Sequence, residues 1–215
     1  FAVADGLGGH SHGELASAMV LQSGVSGKEG SWLMQLADLD IAEVIPHATA
    51  AAEAVHRRLL DEAYRDAKLR GMASTLTAAV VFGHQVVLLR LGDSRAYRFH
   101  DGELTQVTRD HTLAQDMARN GLTGQRTSRL ANVLTNCLGG DDGQVRVETH
   151  ELRWSSGDAL LLCTDGLTDL VTPAEISAEL AGPQPAKAVC QTLLDRALEN
   201  GGRDNITLIV VRFLN

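Results

Sequence analysis

Three aspartates stand beside apolar, strand-like runs, where their carboxylates could meet and bind a cation. Asp5 and Asp165 each follow such a run, and Asp204 comes shortly before the last one. Strands of one sheet can bring their ends together, and converging carboxylates cannot all stay ionised without a cation. Hard oxygen donors select Mg²⁺ or Mn²⁺ rather than zinc. The pattern therefore predicts a divalent-metal site, with Asp93, which follows another apolar run, as a fourth candidate ligand.

Each of these aspartates also has a purely structural interpretation. A single aspartate beside a strand is commonly a turn former, because its side chain bonds to nearby backbone. For Asp93 this alternative is a cap within the bend formed by residues 92–95. Three aspartates in equivalent places favour a shared metal site over three independent turns.

The glycine-rich residues 6–9 precede a helical pattern, so they could instead cradle a phosphate on backbone amides. They match neither nucleotide-binding template, because Ser11 replaces the third glycine of GxGxxG and no Gly-Lys-Ser/Thr follows. Close approach of the backbone to a metal and a substrate is the better explanation of these glycines.

The composition is that of one globular domain, with 215 residues, 44% hydrophobic and 21% charged. A net charge of −8 and an aromatic content of 4% make nucleic acid a poor partner. Three widely spaced cysteines predict no disulfide framework and fit a reducing compartment. No apolar run approaches the roughly 20 residues that span a bilayer, so we expect no membrane in this segment. We also expect a cytoplasmic protein, as the cysteines indicate, and a monomer.

Strand and helix patterns occur in separate groups. Residues 159–163 are continuously apolar, which indicates a strand buried on both faces. Two hairpins are expected, the second turning at Asp101-Gly102. The predicted strands are residues 1–4, 76–82, 86–91, 96–99, 104–107, 145–152, 159–163 and 206–213, and the predicted helices lie near residues 15–22, 46–69, 174–180 and 185–198. Residues 24–40 are expected to be a loop with at most a short helical piece. This grouping predicts an α+β layered sandwich rather than a wound βαβ sheet.

Seven short motifs follow one another along almost the whole chain. They are FAVADGLGGH at residues 1–10, STL at 74–76, GDSRA at 92–96, DH at 110–111, LTNCLG at 134–139, CTDGL at 163–167 and DNIT at 204–207. Together they resemble the metal-dependent protein phosphatases of the protein phosphatase 2C type, especially their bacterial branch. The resemblance implies a four-layer α-β-β-α sandwich, with two antiparallel sheets flanked by helices. It also implies a single catalytic domain at residues 1–215, with a flap at residues 111–133.

The same resemblance implies a role for each candidate ligand. Asp5 matches the carboxylate that bridges two Mn²⁺ or Mg²⁺ ions, and Gly6 would offer its backbone carbonyl to the second ion at a sharp turn. Asp165 and Asp204 match the residues that complete the shell of the first ion. Asp93 matches a ligand of a third, weaker ion. A phosphate-gripping Arg and an acidic pair, carried in the family by strands upstream of Phe1, are absent from this sequence, and neither Arg95 nor Arg203 can be assumed to replace that Arg.

The resemblance implies hydrolysis by direct attack of a water that bridges the two ions, with no covalent phosphoenzyme. The departing serine or threonine oxygen needs a proton, and His10 is the candidate donor because it follows the metal-binding turn. Relatives outside bacteria place a histidine directly after the Asp-Gly pair, where this chain has Leu7. A structural role for His10 therefore stays open.

The expected function is that of a protein serine/threonine phosphatase acting on phosphorylated Ser/Thr proteins and opposing a serine/threonine kinase. One alternative is a non-catalytic relative that binds phosphoproteins, although such a module would not need all of Asp5, Asp165 and Asp204. The other is a metal phosphohydrolase that acts on small phosphate esters. Only substrate measurements separate the latter from a protein phosphatase.

Overall fold

Strands and helices alternate in groups along the chain. The computed structural model describes residues 1–7, 10–25, 31–124, 130–140 and 143–214, without the side chains of residues 10, 11 and 25. The strands are β1 (Ala2–Val3), β2 (Gly6–Leu7), β3 (Ala73–Ser74), β4 (Leu76–Phe82), β5 (Gln85–Leu91), β6 (Arg95–His100), β7 (Glu103–Gln106), β8 (Leu138–Gly139), β9 (Glu148–Arg153), β10 (Ala159–Cys163) and β11 (Leu208–Arg212). The helices are α1 (His10–Val25), α2 (Trp32–Leu36), α3 (Ile41–Arg65), α4 (Leu113–Arg119), α5 (Asp165–Thr168), α6 (Pro173–Ala181) and α7 (Ala186–Glu199).

Two four-stranded antiparallel sheets form the centre of the molecule. The first has the strand order β1-β4-β5-β9 and the second has the order β11-β10-β6-β7. In the first sheet Leu76 pairs with Leu91 and Phe82 with Gln85, which is the predicted hairpin. A smaller sheet of β2, β3 and β8 lies beside them.

Three apolar clusters separate four layers. One lies between α1–α3 and the first sheet, one lies between the two sheets, and one lies between the second sheet and α5–α7. Strand β10 shows how one strand serves two clusters: Leu160 and Leu162 face the other sheet, whereas Leu161 and Cys163 face the helices. Because side chains alternate along a strand, a strand in the middle layers must be apolar on both faces. The continuous apolar runs are thus explained, and the predicted four-layer sandwich is confirmed.

Helix α3 begins five residues earlier than the sequence predicts. Pro46 was expected in the first helical turn, but Asp40 is the N-cap residue and Pro46 lies inside the helix. Proline there removes one backbone hydrogen bond. The buried face continues upstream through Val44, which is 0% exposed, so packing of this turn against the first sheet offsets that loss.

Other boundaries also differ from the sequence prediction. The expected loop at residues 24–40 contains the end of α1 and the short helix α2. The strand expected at residues 145–152 starts only at Glu148, because the backbone N–H and C=O of Arg146 are bonded to the Asn136 side chain. Within the described ranges, no helix is both long and apolar enough to cross a bilayer.

A buried aspartate, Asp158, ties the second sheet together at the end away from the candidate ligands. Its side chain is 3% exposed and accepts hydrogen bonds from Arg98 Nη2 at 2.8 Å and His100 Nδ1 at 2.6 Å. The Ser155 backbone N–H also donates to it, at 3.2 Å. These hydrogen bonds outweigh the effect of burial and hold the pKa of Asp158 below its ordinary value.

We predict that Asp158→Asn lowers the free energy of unfolding by about 1–3 kcal/mol, because the Arg98 guanidinium and the His100 ring lose a charged acceptor. A carboxylate with a depressed pKa stabilises the fold above its unfolded pKa of about 3.9, and this contribution is lost as the pH falls through the folded value. The difference from wild type, measured by urea unfolding, should therefore shrink below about pH 4. Asp101→Asn is the matched control, since Asp101 is 89% exposed and its φ of 48° suits asparagine. Equal effects of the two substitutions would contradict the assignment.

Candidate active site

Asp5 is held at the end of β1 by a buried threonine. The Thr75 backbone N–H donates to the Asp5 carbonyl at 2.8 Å, and the Asp5 N–H donates to Thr75 Oγ1 at 2.9 Å. Thr75 is 1% exposed, and its hydroxyl also lies 2.8 Å from that of Ser94. One side chain therefore joins the strand end that carries Asp5 to the bend that carries Asp93.

Asp93 lies in the bend between β5 and β6. Gly92 precedes it with a φ of 99°, and an added Cβ would lie 2.5 Å from Cγ2 of Thr75. Glycine meets both demands, the left-handed backbone and the close contact. The hydroxyl of Thr77 donates to the Ser94 carbonyl at 2.8 Å, which fixes the far side of the bend.

Asp165 and Asp204 lie on two loops that are bonded to each other. The Thr164 hydroxyl donates to the Asn205 carbonyl at 3.1 Å and accepts from the Thr207 N–H at 3.0 Å. An added Cβ on Gly166 would lie 2.3 Å from the Asn205 carbonyl oxygen, so the two backbones are in contact there. Asp165 is half-buried as the first residue of α5, whereas Asp204 is exposed.

The carboxylates are close enough to disturb one another. Burial, followed by the charges of Asp165 and Asp204, raises the pKa of Asp5 to about 7. Burial and the charge of Asp165 raise the pKa of Asp93 to about 7 as well. The pKa of Asp165 is also raised, first by burial and then by the charge of Asp204. The structure thus brings all four predicted aspartates into one electrostatic cluster.

Two cavities flank this cluster. One, of about 390 Å³, is lined by Asp5, Gly6 and Asp204 and by Glu14 and Ser17 of α1. The other, of about 310 Å³, is lined by Asp93 and Asp165 on one side and by α4 on the other. The first is open to solvent beside the start of α1, and the second lies beneath the flap residues.

The donor chemistry of the cluster fits hard divalent ions. Half-buried carboxylates that raise one another's pKa are destabilising when ionised, and a bound Mg²⁺ or Mn²⁺ would offset that repulsion. No three His, Cys, Asp or Glu side chains in the described part of the chain stand in an arrangement that would close around one ion as they are.

Gly6 needs to be glycine for a different reason from the sharp turn that was predicted. Gly6 lies in strand β2, paired with Ser74, and its φ angle is not positive. An added Cβ would lie 1.9 Å from the carbonyl oxygen of Gly13, and a Cβ on Gly13 would lie 2.5 Å from that of Gly6. The two glycines let α1 pack directly on the strand that carries the candidate ligand.

His10 is the first residue of α1, but its side chain lies outside the described residues. The structure adds Glu14 and Ser17, which face the cavity beside Asp5 and which sequence reasoning missed. Their spacing of three residues, which puts both on one face of a helix, was the available signal.

Nothing in the sequence allows the assumption that Arg95 replaces the phosphate-gripping Arg, and its contacts argue against that role. Its guanidinium donates to both carboxylate oxygens of Asp110, at 2.7 Å from Nη2 and 3.0 Å from Nε. Both side chains line the second cavity. The bidentate pair neutralises the Arg95 charge and ties β6 to the start of the flap.

Comparison with known proteins identifies the family. A family profile described as Protein phosphatase 2C matches residues 1–206. The serine/threonine phosphatase stp of Listeria innocua is 32% identical over 212 residues, which cover 97% of this chain and 82% of that protein. The serine/threonine protein phosphatase PstP of Mycobacterium tuberculosis is 33% identical over 216 residues, which cover 97% of this chain and 39% of that protein.

Solved structures give the same result. The crystal structure of the Mycobacterium tuberculosis phosphatase PstP matches with a TM-score of 0.84 and 32% identity, covering 100% of this chain and 88% of that one. The PstP catalytic domain in complex with two manganese ions matches with a TM-score of 0.81 and 32% identity, covering 100% of this chain and 87% of that one.

We predict that Gly6→Ala lowers the free energy of unfolding by about 1–3 kcal/mol, because its Cβ must displace the backbone of α1. Gly143→Ala is the control, since an added Cβ there meets no atom within 4 Å. That control should leave stability unchanged or raise it by less than about 1 kcal/mol. Denaturant unfolding checks both values. A Gly6→Ala variant as stable as wild type would show that the contact with Gly13 does not require glycine.

Proposed function

Because this chain belongs to the protein phosphatase 2C family, we propose that it is a metal-dependent protein serine/threonine phosphatase, which hydrolyses phosphoserine and phosphothreonine in proteins. The observation that carries the proposal is the electrostatic cluster of Asp5, Asp93, Asp165 and Asp204 between two open cavities. Relatives named as serine/threonine phosphatases at 32–33% identity support the reaction class.

We propose that the cluster holds two Mn²⁺ or Mg²⁺ ions, as the manganese complex of PstP suggests. Asp5 would contact both ions, Gly6 would offer its carbonyl to one, and Asp165 and Asp204 would complete the other. Asp93 would contact a third, weaker ion. When bound, a pair of such ions supplies an acidified water and positive charge for the phosphoryl oxygens.

The chain's own residues would orient the reaction. The cavity beside Asp5 and Ser17 is the proposed place of the phosphorylated side chain, because it is open and reaches the ligand cluster. We propose that His10 gives a proton to the departing serine or threonine oxygen. Its position at the start of α1, directly after the strand that carries Gly6, supports this role.

We propose that residues 1–215 form one catalytic domain with a flap at residues 111–133. Helix α4 in that segment lines the cavity beside Asp93, which supports a role for the flap in substrate contact. The proposed partners are phosphorylated Ser/Thr proteins and an opposing serine/threonine kinase. A monomeric protein in a cytoplasm is proposed as well, because the three cysteines lie too far apart in the sequence to indicate a disulfide framework.

We predict that phosphate release from a phosphothreonine peptide requires Mn²⁺, stops with EDTA, and falls at least about 100-fold in Asp204→Asn. A loss of that size corresponds to about 2.7 kcal/mol of transition-state stabilisation, which a displaced metal would account for. The matched control is Asp195→Asn, an exposed aspartate on α7 that should keep wild-type activity. The measurement is initial phosphate release at saturating peptide.

Three results would contradict the proposal in different ways. Metal-independent release or full activity of Asp204→Asn would overturn the metal site. Release from p-nitrophenyl phosphate but not from phosphopeptides would favour a small-ester phosphohydrolase. No release under any metal, together with binding of the phosphopeptide, would favour a non-catalytic binding module.

A further inference from the structure

We propose that His111 is a positioning residue that holds Gly92, and through it Asp93, while it joins the two ends of the flap. This inference rests on the proposed function, in which Asp93 is a ligand of the weakest ion. In the sequence, His111 is visible only as part of the DH motif at residues 110–111.

The contact between His111 and Gly92 uses both backbone groups of the glycine. The His111 backbone N–H donates to the Gly92 carbonyl at 3.0 Å. The Gly92 N–H donates to the Nδ1 atom of the His111 ring at 3.2 Å. On its other side Gly92 packs on Thr75, which in turn is bonded to Asp5. Gly92 is therefore held between the residue that anchors Asp5 and the first residue of the flap.

The hydrogen bonds determine which ring nitrogen carries the proton. Nδ1 faces the Gly92 N–H and the side-chain NH₂ of Asn136, at 3.1 Å, so it acts as an acceptor. Nε2 lies 2.7 Å from a Glu148 carboxylate oxygen and 3.0 Å from Arg90 Nη2. Because Nδ1 is the acceptor, Nε2 carries the proton and donates it to the carboxylate, and the Arg90 contact is not a hydrogen bond to the ring. These partners assign the ring as the neutral Nε2–H tautomer, because an Nδ1–H would face the two donors. Burial and the charge of Arg90 lower the pKa of His111, which agrees with that assignment.

A buried arginine, Arg90, also donates a hydrogen bond to the Gly92 carbonyl. Arg90 is 1% exposed, and its Nη1 donates to the Gly92 carbonyl at 3.2 Å. Its Nη2 is paired with Glu148, the carboxylate that also accepts from His111. Arg90 and Glu148 lie on neighbouring strands β5 and β9, so the sheet itself fixes the position of the ring.

His111 also closes the base of the flap. Its carbonyl accepts from the Thr135 N–H at 2.9 Å, and the next residue, Thr112, forms a β-bridge with Leu134. Asn136 bonds to the ring and also donates to the Arg146 carbonyl at 2.7 Å. A shift of the flap base therefore moves the ring that holds Gly92. Position of the flap and position of Asp93 are coupled through one side chain.

The test compares His111→Phe with His111→Asn, whose Oδ1 can replace Nδ1 as the acceptor for the Gly92 N–H. His84→Phe and His84→Asn are the matched controls, because His84 is exposed in the β4–β5 turn. Mn²⁺ binding is followed by the electron paramagnetic resonance signal of the free ion. Turnover is measured on p-nitrophenyl phosphate, and folding by circular dichroism.

We expect His111→Phe to lower kcat at least ten-fold and to weaken the weakest Mn²⁺ site at least five-fold, with KM changed less than three-fold. His111→Asn should restore kcat and Mn²⁺ binding to within three-fold of wild type. Both His84 variants should match wild type.

Different results separate the proposed phosphatase function from the positioning role of His111. A wild-type chain without Mn²⁺-dependent turnover would overturn the proposed function. An active wild type and a folded His111→Phe variant with wild-type kcat and Mn²⁺ binding would overturn the positioning role alone. If His111→Phe does not fold, ¹⁵N chemical shifts of the wild-type ring decide: the Nε2–H tautomer supports the inference, whereas the Nδ1–H tautomer or an imidazolium at pH 7 overturns it.

Discussion

Repulsion between carboxylates at one end of the sandwich is the constraint on which the rest of the structure depends. Asp5, Asp93 and Asp165 are half-buried, and each has its pKa raised by burial and by a neighbouring aspartate. Groups that oppose one another in this way would separate if their backbones were free to move. The fold must therefore supply enough packing and hydrogen bonding to hold them together until cations offset their charge.

The contacts that keep the four aspartates together are made at strand ends by threonines and glycines. Thr75 links the ends that carry Asp5 and Asp93, and Thr164 links the loops of Asp165 and Asp204. Glycines at the same places allow close contacts, as at Gly92 against the Thr75 side chain and at Gly166 against the Asn205 carbonyl. Behind these contacts lie three apolar clusters, so each strand end extends from a strand that is packed on both faces. Apolar packing between the four layers thus stabilises the strands that keep the carboxylates in position.

The sequence predicts the layers better than it predicts the contacts at the site. Apolar runs such as Ala159–Cys163 mark the central strands, because burial on both faces leaves an unbroken pattern. The two-residue strands of the small sheet have no period to detect, and the start of α3 was wrong because Pro46 is typical of a first turn. The aspartates at strand ends were predictable. The Arg95–Asp110 pair and the His111–Gly92 contacts were not, because each depends on residues 15 or more positions apart that only the folded chain brings together.

The most direct test of the account is the thermal unfolding of Asp5→Asn at pH 8, in EDTA and in saturating Mn²⁺. Removing one repelling charge should raise the Tm of the metal-free chain above that of wild type, although the side chain is nearly unchanged in size. The same substitution should abolish the rise in Tm that Mn²⁺ gives the wild type by binding to its folded state. A lower Tm in EDTA, or a Mn²⁺-induced rise equal to that of wild type, would contradict the claim that repelling carboxylates form the metal site.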